Sequence, residues 1–252
     1  MPVEAARGGA NTDSGLPPGI ELAWGIRERP SRGPKRGLSL DRIVAAGIEV
    51  ALADGLGSLS MSRVAAQVGA STMSLYRYVA AKDELLVLMA DAALGPPPRV
   101  WEPADGWRPG MARWAVGVRT AYRSNPWALR IPISGPPFGP NNVAWLDAAL
   151  RCLADTPLTE QQKLSTVLLV SGFVRNEATL TADLAAAASA TPEQKIMPGY
   201  GATLSRLIGP DAFPALQRAI ASGSLDDDDD LNSEFDFGLE RILDGVAALI
   251  AS

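Results

Sequence analysis

The sequence predicts an all-α protein of two helical domains. Apolar residues recur at a spacing of about 3.6 residues along most of the chain, which indicates helices with one buried face. The alternation of apolar and polar residues that marks a half-buried strand does not stand out anywhere. A Gly-Pro-Pro-Pro run at residues 95–98 breaks any helix. We therefore expect an N-terminal domain over residues 38–94 and a C-terminal domain over residues 95–252, preceded by an arm over residues 1–37.

The composition limits the chemistry that the chain can perform. Of its 252 residues, 47% are apolar and 20% are charged, which allows a sizeable core. The chain has no histidine and a single cysteine, Cys152, so it lacks the usual general base and metal ligand and cannot form an internal disulfide. We predict no catalytic residue, no metal site and no cofactor. Because we find neither a run of about twenty apolar residues nor the apolar core of a signal peptide, we expect a cytoplasmic protein without a membrane span.

The helices of the N-terminal domain are predicted from their end signals. The first helix covers residues 40–53 and stops at Gly55. Two short helices follow around a tight turn at Gly69, where a helix end needs a residue that tolerates a left-handed backbone. A further helix begins near Lys82 and ends before the proline run. Serines that can cap a helix by accepting a backbone N–H precede the first three: Ser39, Ser60 and Ser71.

The helix after Ser71 has two different faces. Leu75 and Val79, four residues apart, point into a core. The exposed face carries small hydroxyl groups, a thioether and a guanidinium, on Thr72, Met73, Ser74 and Arg77. A short helix with such a face fits the major groove of DNA. The pattern therefore predicts a three-helix, helix-turn-helix DNA-binding domain.

The charge distribution agrees with a DNA-binding N-terminal part. Residues 1–82 carry 10 Lys and Arg against 7 Asp and Glu, whereas residues 83–252 carry 13 against 21. The positive excess therefore lies where phosphates would be met. Residues 27–36 alone hold five positive charges and one negative charge. This proline-, glycine- and arginine-rich arm is either a flexible solubilising tail or a segment that lies along the minor groove, except that residues 20–27 are compatible with one or two helical turns.

The chain around this motif resembles a known family. The segments LDRIVAAGIEVALADGLGSLSMSRVAAQVG and STMSLYRYVAAKDELLVLMAD, within residues 38–94, are similar to the DNA-binding domain of the tetracycline-repressor (TetR/AcrR) family of bacterial regulators. A weaker similarity, FDFGLERILDG at residues 235–245, is to the last helix of the tetracycline-repressor type of C-terminal domain. The resemblance implies a homodimeric, ligand-responsive regulator that binds a palindromic operator in double-stranded DNA, most simply as a repressor. The alternative is an activator or a ligand-independent DNA-binding regulator.

The resemblance also implies which residues meet DNA. Base edges are expected to be contacted by Thr72, Met73, Ser74 and Arg77, although the sequence leaves a phosphate contact open for Arg77. Phosphates are expected to be contacted by Ser62, Arg63, Tyr76, Tyr78 and Lys82. For the two tyrosines the alternative is a place in the core, and this alternative is strongest for Tyr78. When bound to DNA, such a protein is associated with the nucleoid.

The C-terminal domain is predicted to contain two long helices, over residues 160–181 and 234–251. Thr159 and Gln162 stand at the reciprocal positions of a capping box. The first long helix is apolar nearly all round, and the last carries an apolar stripe through Phe235, Leu239, Ile242, Val246 and Leu249. The resemblance implies that both helices pair with their copies in a second subunit, while the alternative is packing within the chain. The acidic run at residues 226–230 is expected to be a hydrated loop and not a metal site.

Aromatic residues are concentrated early in the C-terminal domain. Five of the six tryptophans lie within residues 101–145. The resemblance implies an effector pocket in this domain, and aromatic-lined cavities bind hydrophobic small molecules. The candidate ligand-binding residues are Trp114, Trp127, Phe138, Trp145, Phe173, Asn176 and Glu177. For each tryptophan the alternative is simple core packing. Tetracycline is disfavoured as the ligand, because histidine helps to hold the drug with magnesium in the namesake proteins and this chain has none.

Overall fold

The computed structural model describes residues 15–27, 38–98, 106–133, 135–190, 199–209, 212–225 and 231–252. Its regular elements within these ranges are all helical, which confirms the predicted all-α class. The chain divides into two compact units, one made of Met1–Gly95 with Arg130–Val143 and the other of Pro96–Leu129 with Ala144–Ser252. Most of the predicted basic arm, the acidic run at residues 226–230 and Trp101 lie outside the described residues.

The first unit is built around a helix-turn-helix. In its described residues it contains the helices α1 (Pro18–Ala23), α2 (Leu40–Asp54), α3 (Met61–Val68), α4 (Thr72–Leu75) and α5 (Lys82–Leu94). The predicted serine caps are confirmed, because the hydroxyls of Ser39, Ser60 and Ser71 accept hydrogen bonds from the backbone N–H groups three residues later. The predicted stop of α2 at Gly55 is also confirmed.

The core of the first unit lies between α2, α3 and α5. Its fully buried side chains are Ile43, Val64, Leu75, Val79, Leu85 and Met89. The helices α2 and α5 approach closely at Gly47, since a Cβ atom there would lie 2.7 Å from the Met89 sulfur. This packing holds α3 and α4 against a rigid support and leaves their other faces toward solvent.

Helix α1 lies within residues 1–37 and overlaps the segment 20–27, for which the sequence allows one or two helical turns. It packs on α5 and α2, and Ile20 is only 3% exposed. Burying this isoleucine side chain stabilises a segment that composition alone assigns to an arm. The residues that precede and follow this part, 1–14 and 28–37, lie outside the described ranges.

The second unit is a bundle of longer helices. Its described residues form α6 (Trp107–Ser124), most of α7 (Pro140–Cys152), α8 (Glu160–Ala190), α9 (Tyr200–Leu207), α10 (Pro214–Ala221) and α11 (Leu231–Ile250). The central helix α8 packs on α6 and α11 through Val167, Val170, Val174 and Ala178. No helix in the described part of the chain is long and apolar enough to cross a membrane.

The start of α8 agrees with the prediction from sequence, whereas its end does not. The predicted capping box is confirmed, because Thr159 N–H donates to Gln162 Oε1 and Gln162 N–H donates to Thr159 Oγ1. The helix continues past the expected end near residue 181 to Ala190. Residues 182–190 contain neither glycine nor proline and are mostly alanine, the strongest helix former, so nothing local stops the helix.

Candidate DNA-binding surface and effector site

The angle between α3 and α4 is set by a short backbone turn. Gly69 adopts a left-handed conformation, with φ of 69° and ψ of 36°. The backbone N–H groups of Gly69 and Ala70 donate to the carbonyls of Ala66 and Ala65 and so satisfy the end of α3. Because a side chain strains this backbone conformation, glycine at position 69 allows the tight turn.

Helix α4 and the turn after it present a polar and partly apolar face to solvent. Leu75 and Val79 are fully buried and anchor the segment to the core. Met73 is 75% exposed, and Tyr76 and Arg77 are also exposed. Thr72 and Ser74 are half-buried, and the Ser74 hydroxyl lies 2.8 Å from the Ser71 hydroxyl. The structure thus brings the predicted base-contacting residues onto one segment of the surface.

Three of the predicted phosphate contacts lie at helix N-terminal ends. Ser62 and Arg63 are exposed in the first turn of α3, and Lys82 is the exposed first residue of α5. Unpaired N–H groups make such ends favourable for phosphate. The Arg63 guanidinium donates to the Asp54 carboxylate at the surface, an exposed ion pair that contributes little stability.

Tyr78 lies in the core of the first unit and not on its surface. Its side chain is only 9% exposed, and its hydroxyl donates a 2.7 Å hydrogen bond to the carbonyl of Leu38. This position corresponds to the alternative that the sequence left open. A hydroxyl engaged inside the protein is poorly placed to reach a phosphate as well.

Two buried carboxylates of the first unit were not found by sequence reasoning. Glu84 accepts the backbone N–H of Gly19 at 2.5 Å and that of Ala80. Asp91 accepts the backbone N–H groups of Asn141 and Asn142 as well as both of their side-chain amides. A sequence signal does exist, since both acidic residues fall on the apolar helix α5, but Gly19 and the two asparagines that pair with them are far away in the chain.

In the second unit, two of the predicted ligand-binding tryptophans contact each other. The rings of Trp114 and Trp145 meet edge to face with centroids 6.2 Å apart. The Trp114 indole donates a 2.8 Å hydrogen bond to the Trp145 carbonyl. Both side chains are buried, and Gly117 lies so close that a Cβ atom there would be 2.8 Å from the Trp145 ring. This pair therefore forms part of the core between α6 and α7.

Trp127 differs from that pair in its hydrogen bonding. Its side chain is 8% exposed, and its indole nitrogen is the single fully buried side-chain N or O atom without a partner in the described residues. Nearby in sequence, Leu129 accepts a 3.1 Å hydrogen bond from the Arg175 guanidinium. A buried donor with no acceptor is costly, and a bound ligand with an acceptor atom would relieve that cost.

A buried ion pair occupies the centre of the second unit. Arg119 donates twice to the Glu177 carboxylate, at 2.6 and 2.9 Å, and its guanidinium lies 4.1 Å from the centre of the Phe235 ring. Phe173 stacks on the same ring at 5.5 Å. Glu177 and Phe173 thus already have partners within the protein.

Two predicted ligand-binding residues lie apart from the buried residues of the second unit described above. Phe138 is exposed and belongs to the segment Arg130–Val143 of the first unit. Asn176 lies on the exposed side of α8. The position of Phe138 depends on which unit its segment joins, and sequence spacing does not reveal that. Asn176 is exposed because the helical repeat places it between the buried Val174 and Ala178.

Metal-ion ligands and the single thiol are a separate question from the aromatic group. They contain no group of His, Cys, Asp and Glu side chains that could hold a metal ion. Burial raises the pKa of the Cys152 thiol to about 11, so the thiol stays protonated near neutral pH.

Comparison with known proteins agrees with this arrangement. The family model described as "Bacterial regulatory proteins, tetR family" matches residues 43–89, and the one described as "Tetracyclin repressor-like, C-terminal domain" matches residues 101–250. The chain is 36% identical over 241 residues to the HTH-type transcriptional repressor DrrR1 of Streptomyces coeruleorubidus, an alignment that covers 92% of this chain and 86% of the relative.

Solved structures give the same result. ActR of Streptomyces coelicolor in complex with actinorhodin superposes with a TM-score of 0.73 at 27% identity, covering 86% of this chain and 100% of the ActR chain. ActR in complex with (S)-DNPA gives 0.71 at 25% identity, covering 84% of this chain and 98% of the other. Family matches over both units, together with a repressor that aligns with most of the sequence, show that the chain belongs to the tetracycline-repressor family of bacterial transcriptional regulators, which are DNA-binding proteins and not enzymes.

Proposed function

We propose that this regulator is a homodimeric repressor that binds a palindromic operator through α4 of each subunit and is released by a hydrophobic small molecule. The observation that carries the proposal is the exposed face of α4, with Met73 75% exposed above the buried Leu75 and Val79. The 36% identity to a repressor supports repression over activation. The protein would act in the cytoplasm, associated with the nucleoid.

The DNA contacts follow from the chemistry of the exposed side chains. Met73 can pack on a thymine methyl group, and Arg77 can pair with the acceptor edge of guanine. Phosphates would be met by Ser62, Arg63, Tyr76 and Lys82, which fixes the register without reading the sequence. Because Tyr78 is buried and its hydroxyl is bonded to Leu38, we leave it out of the interface.

The second subunit would pack on α8 and α11. Apolar side chains are exposed on these helices in the single chain: Leu164, Leu168, Leu169 and Leu249. A groove of about 330 Å³ runs between the two helices and is lined by Leu169, Ile242, Val246 and Leu249. An exposed apolar surface on a long helix is typical of a subunit interface. A symmetric dimer would present two α4 helices to half-sites about one turn of DNA apart, roughly 34–36 Å.

The effector would bind in the second unit, close to Trp127. The unpaired indole N–H of this residue favours a ligand that carries a hydrogen-bond acceptor, such as a carbonyl group, on an aromatic or apolar framework. ActR, at 27% identity, has been solved with actinorhodin, which supports a small-molecule effector. Release requires that the ligand bind the DNA-free arrangement more tightly than the DNA-bound one.

A mobility-shift assay with DNA from the region upstream of the protein's own gene tests the proposal. We expect specific retardation at about 150 mM salt, a condition under which purely electrostatic binding is weakened. Actinorhodin is a suitable first effector probe, because a relative binds it. Relief of the shift by the probe would support the complete proposal, and a screen of aromatic carbonyl compounds would follow a negative result.

Three results would count against the proposal. If the wild-type protein retards the upstream DNA and unrelated DNA equally, the operator claim fails. If the retarded species contains one subunit, the dimer claim fails. If specific binding persists with every aromatic carbonyl compound in the screen, the protein is a regulator that does not respond to this ligand class.

A further inference from the structure

Helix α1 lies close to the turn that follows α4, which we call the recognition helix because it is the helix proposed to read the operator. Its residue Ile20 is buried, and the helix packs on α5 and α2. At its C-terminal end, the Trp24 indole donates a 2.7 Å hydrogen bond to the carbonyl of Phe138 in the same unit. The helix is therefore attached near both ends, although its six residues are too few to form a stable helix alone.

A single buried carboxylate connects α1 to the turn that follows α4. Glu84 is 8% exposed, and its two oxygens accept different backbone N–H groups. Oε1 accepts from Gly19 in α1, and Oε2 accepts from Ala80, the residue directly after the buried anchor Val79. Because a carboxylate inside a protein must be satisfied by hydrogen bonds, each partner stabilises the position of the other.

Gly19 fixes the position of α1 on this site. A Cβ atom at residue 19 would lie 2.7 Å from the Leu88 side chain, 3.0 Å from a Glu84 oxygen and 3.2 Å from the Tyr78 carbonyl. The last contact belongs to the turn after α4. Only a residue without a side chain lets the backbone of α1 approach both the carboxylate and this turn.

We propose that α1 positions the recognition helix through Glu84 and thereby increases specific operator binding without contacting DNA. The segment 72–80 begins with α4 and ends at Ala80. Gly19 and Glu84 act as positioning residues, because they hold this segment at Ala80. The inference rests on the proposed function, namely that α4 reads an operator. It concerns residues that precede the family match at 43–89, and Glu84, which lies within it.

Two variants test the proposal while leaving every proposed DNA-contacting residue unchanged. Gly19→Ala introduces the clash, and Glu84→Gln places an amide NH₂ against one of the two backbone N–H donors. Matched controls are Gly57→Ala, where a Cβ atom would meet nothing within 4 Å, and Glu49→Gln, an exposed residue of α2 with the same charge change. The probe is a duplex that the wild-type protein selects from a random-sequence pool, and dissociation constants are measured by fluorescence anisotropy.

We expect both variants to lose at least about tenfold in affinity for the selected duplex, similar to the loss of one base contact. Affinity for non-specific DNA and its salt dependence should match those of the controls, since no phosphate-contacting side chain changes. A variant with merely lower stability would instead keep its specificity once the assay is run at a temperature where circular dichroism shows it folded.

Hydrogen exchange of the wild-type protein gives an independent readout that needs no variant. The amides of Gly19 and Ala80 should be protected together, and addition of the selected duplex should slow the exchange of both. Unchanged specific affinity in both variants, an equal loss on specific and non-specific DNA, or no effect of DNA on the Gly19 amide would overturn the proposal. If the wild-type protein selects no sequence at all, the proposed function fails as well, and the two failures are thereby distinguished.

Discussion

The two units differ in what they leave without a partner. In the first unit the exposed helix α4 is rich in polar groups, and the described buried carboxylates, Glu84 and Asp91, are hydrogen-bonded within the unit. The second unit exposes leucines on α8 and keeps the indole N–H of Trp127 buried without an acceptor. The first unit thus satisfies these two carboxylates internally and presents polar groups on α4. The second has an apolar surface and an internal donor that remain to be matched.

Each unit therefore suits a different kind of partner. A polar helix on a satisfied core can meet a hydrated, charged partner such as DNA without losing hydrogen bonds. Removing the exposed leucines from water is favourable, and packing against a second protein surface would achieve this. A buried donor gains from a small molecule that brings an acceptor. The following substitutions test these assignments, in order of decreasing expected effect.

Leu168→Asp should have the largest effect. Leu168 is 74% exposed on α8, and a charge there would be desolvated in the dimer. We expect the dimer dissociation constant to rise at least about 100-fold, with loss of operator retardation, as measured by analytical ultracentrifugation and mobility shift. Leu207→Asp is the control, because this leucine of α9 is equally exposed and lies outside the proposed interface. Dimers of equal stability in both variants would contradict the assignment of the interface.

Arg77→Ala should weaken operator binding by about 1–3 kcal/mol while leaving the dimer intact. If Arg77 reads a base, the loss appears as relaxed preference at one position of the operator. If Arg77 meets a phosphate, the slope of the logarithm of the binding constant against the logarithm of the salt concentration becomes less steep by about one unit. Binding competition with operator variants and a salt titration separate these outcomes, and Arg218→Ala, an exposed arginine of α10, is the control. An unchanged affinity for the operator would remove Arg77 from the DNA-binding surface.

A pair of tryptophan variants compares a satisfied indole with an unsatisfied one. Trp114→Phe removes an N–H that donates to Trp145, whereas Trp127→Phe removes an N–H without a partner in the described residues. Because both changes delete the same atoms, Trp114→Phe should lower the free energy of unfolding by about 1 kcal/mol more. Urea denaturation at one protein concentration measures this difference. A larger loss of unfolding free energy in Trp127→Phe than in Trp114→Phe would show that the Trp127 donor is satisfied in solution. Trp127→Phe should also weaken effector binding.

The smallest effect concerns Cys152. Burial raises the pKa of its thiol from an ordinary value of 9.0 to about 11, because the fold disfavours the thiolate. The resulting stabilisation is present below pH 9.0 and is lost as the pH rises toward about 11. We expect iodoacetamide to alkylate the native protein at pH 8 much more slowly than the urea-unfolded protein, as followed by mass spectrometry. Equal rates would mean that the thiol is accessible in the native state.

Much of the local structure was predictable because its causes are local. The three serine caps, the left-handed Gly69 and the capping box of Thr159 each involve residues within a few positions of one another. The two faces of α4 follow from helical periodicity, which places Leu75 and Val79 on one side. These signals were sufficient for the fold class and for the surface proposed to meet DNA.

Other features were not predictable because they depend on distant residues. Glu84 meets Gly19, which lies 65 positions earlier in the chain, and Asp91 meets Asn141, 50 positions later. The assignment of Phe138 to the first unit likewise depends on how the chain returns to that unit. No periodic pattern encodes such pairings. Composition therefore described residues 1–37 as an arm with one or two possible helical turns over residues 20–27, and the clustering of aromatic residues made Phe138 a candidate ligand contact.

Local signals in the chain were enough to place the starts of α2, α3, α4 and α8 and the two faces of α4, because caps, glycines and the helical repeat act over a few residues. The burial of polar groups and the choice of their hydrogen-bond partners came from the folded structure. It placed Tyr78 inside, brought α1 onto Glu84 and left the Trp127 indole N–H without an acceptor. The physical reason is that burial and hydrogen bonding depend on groups that meet only when the chain is folded.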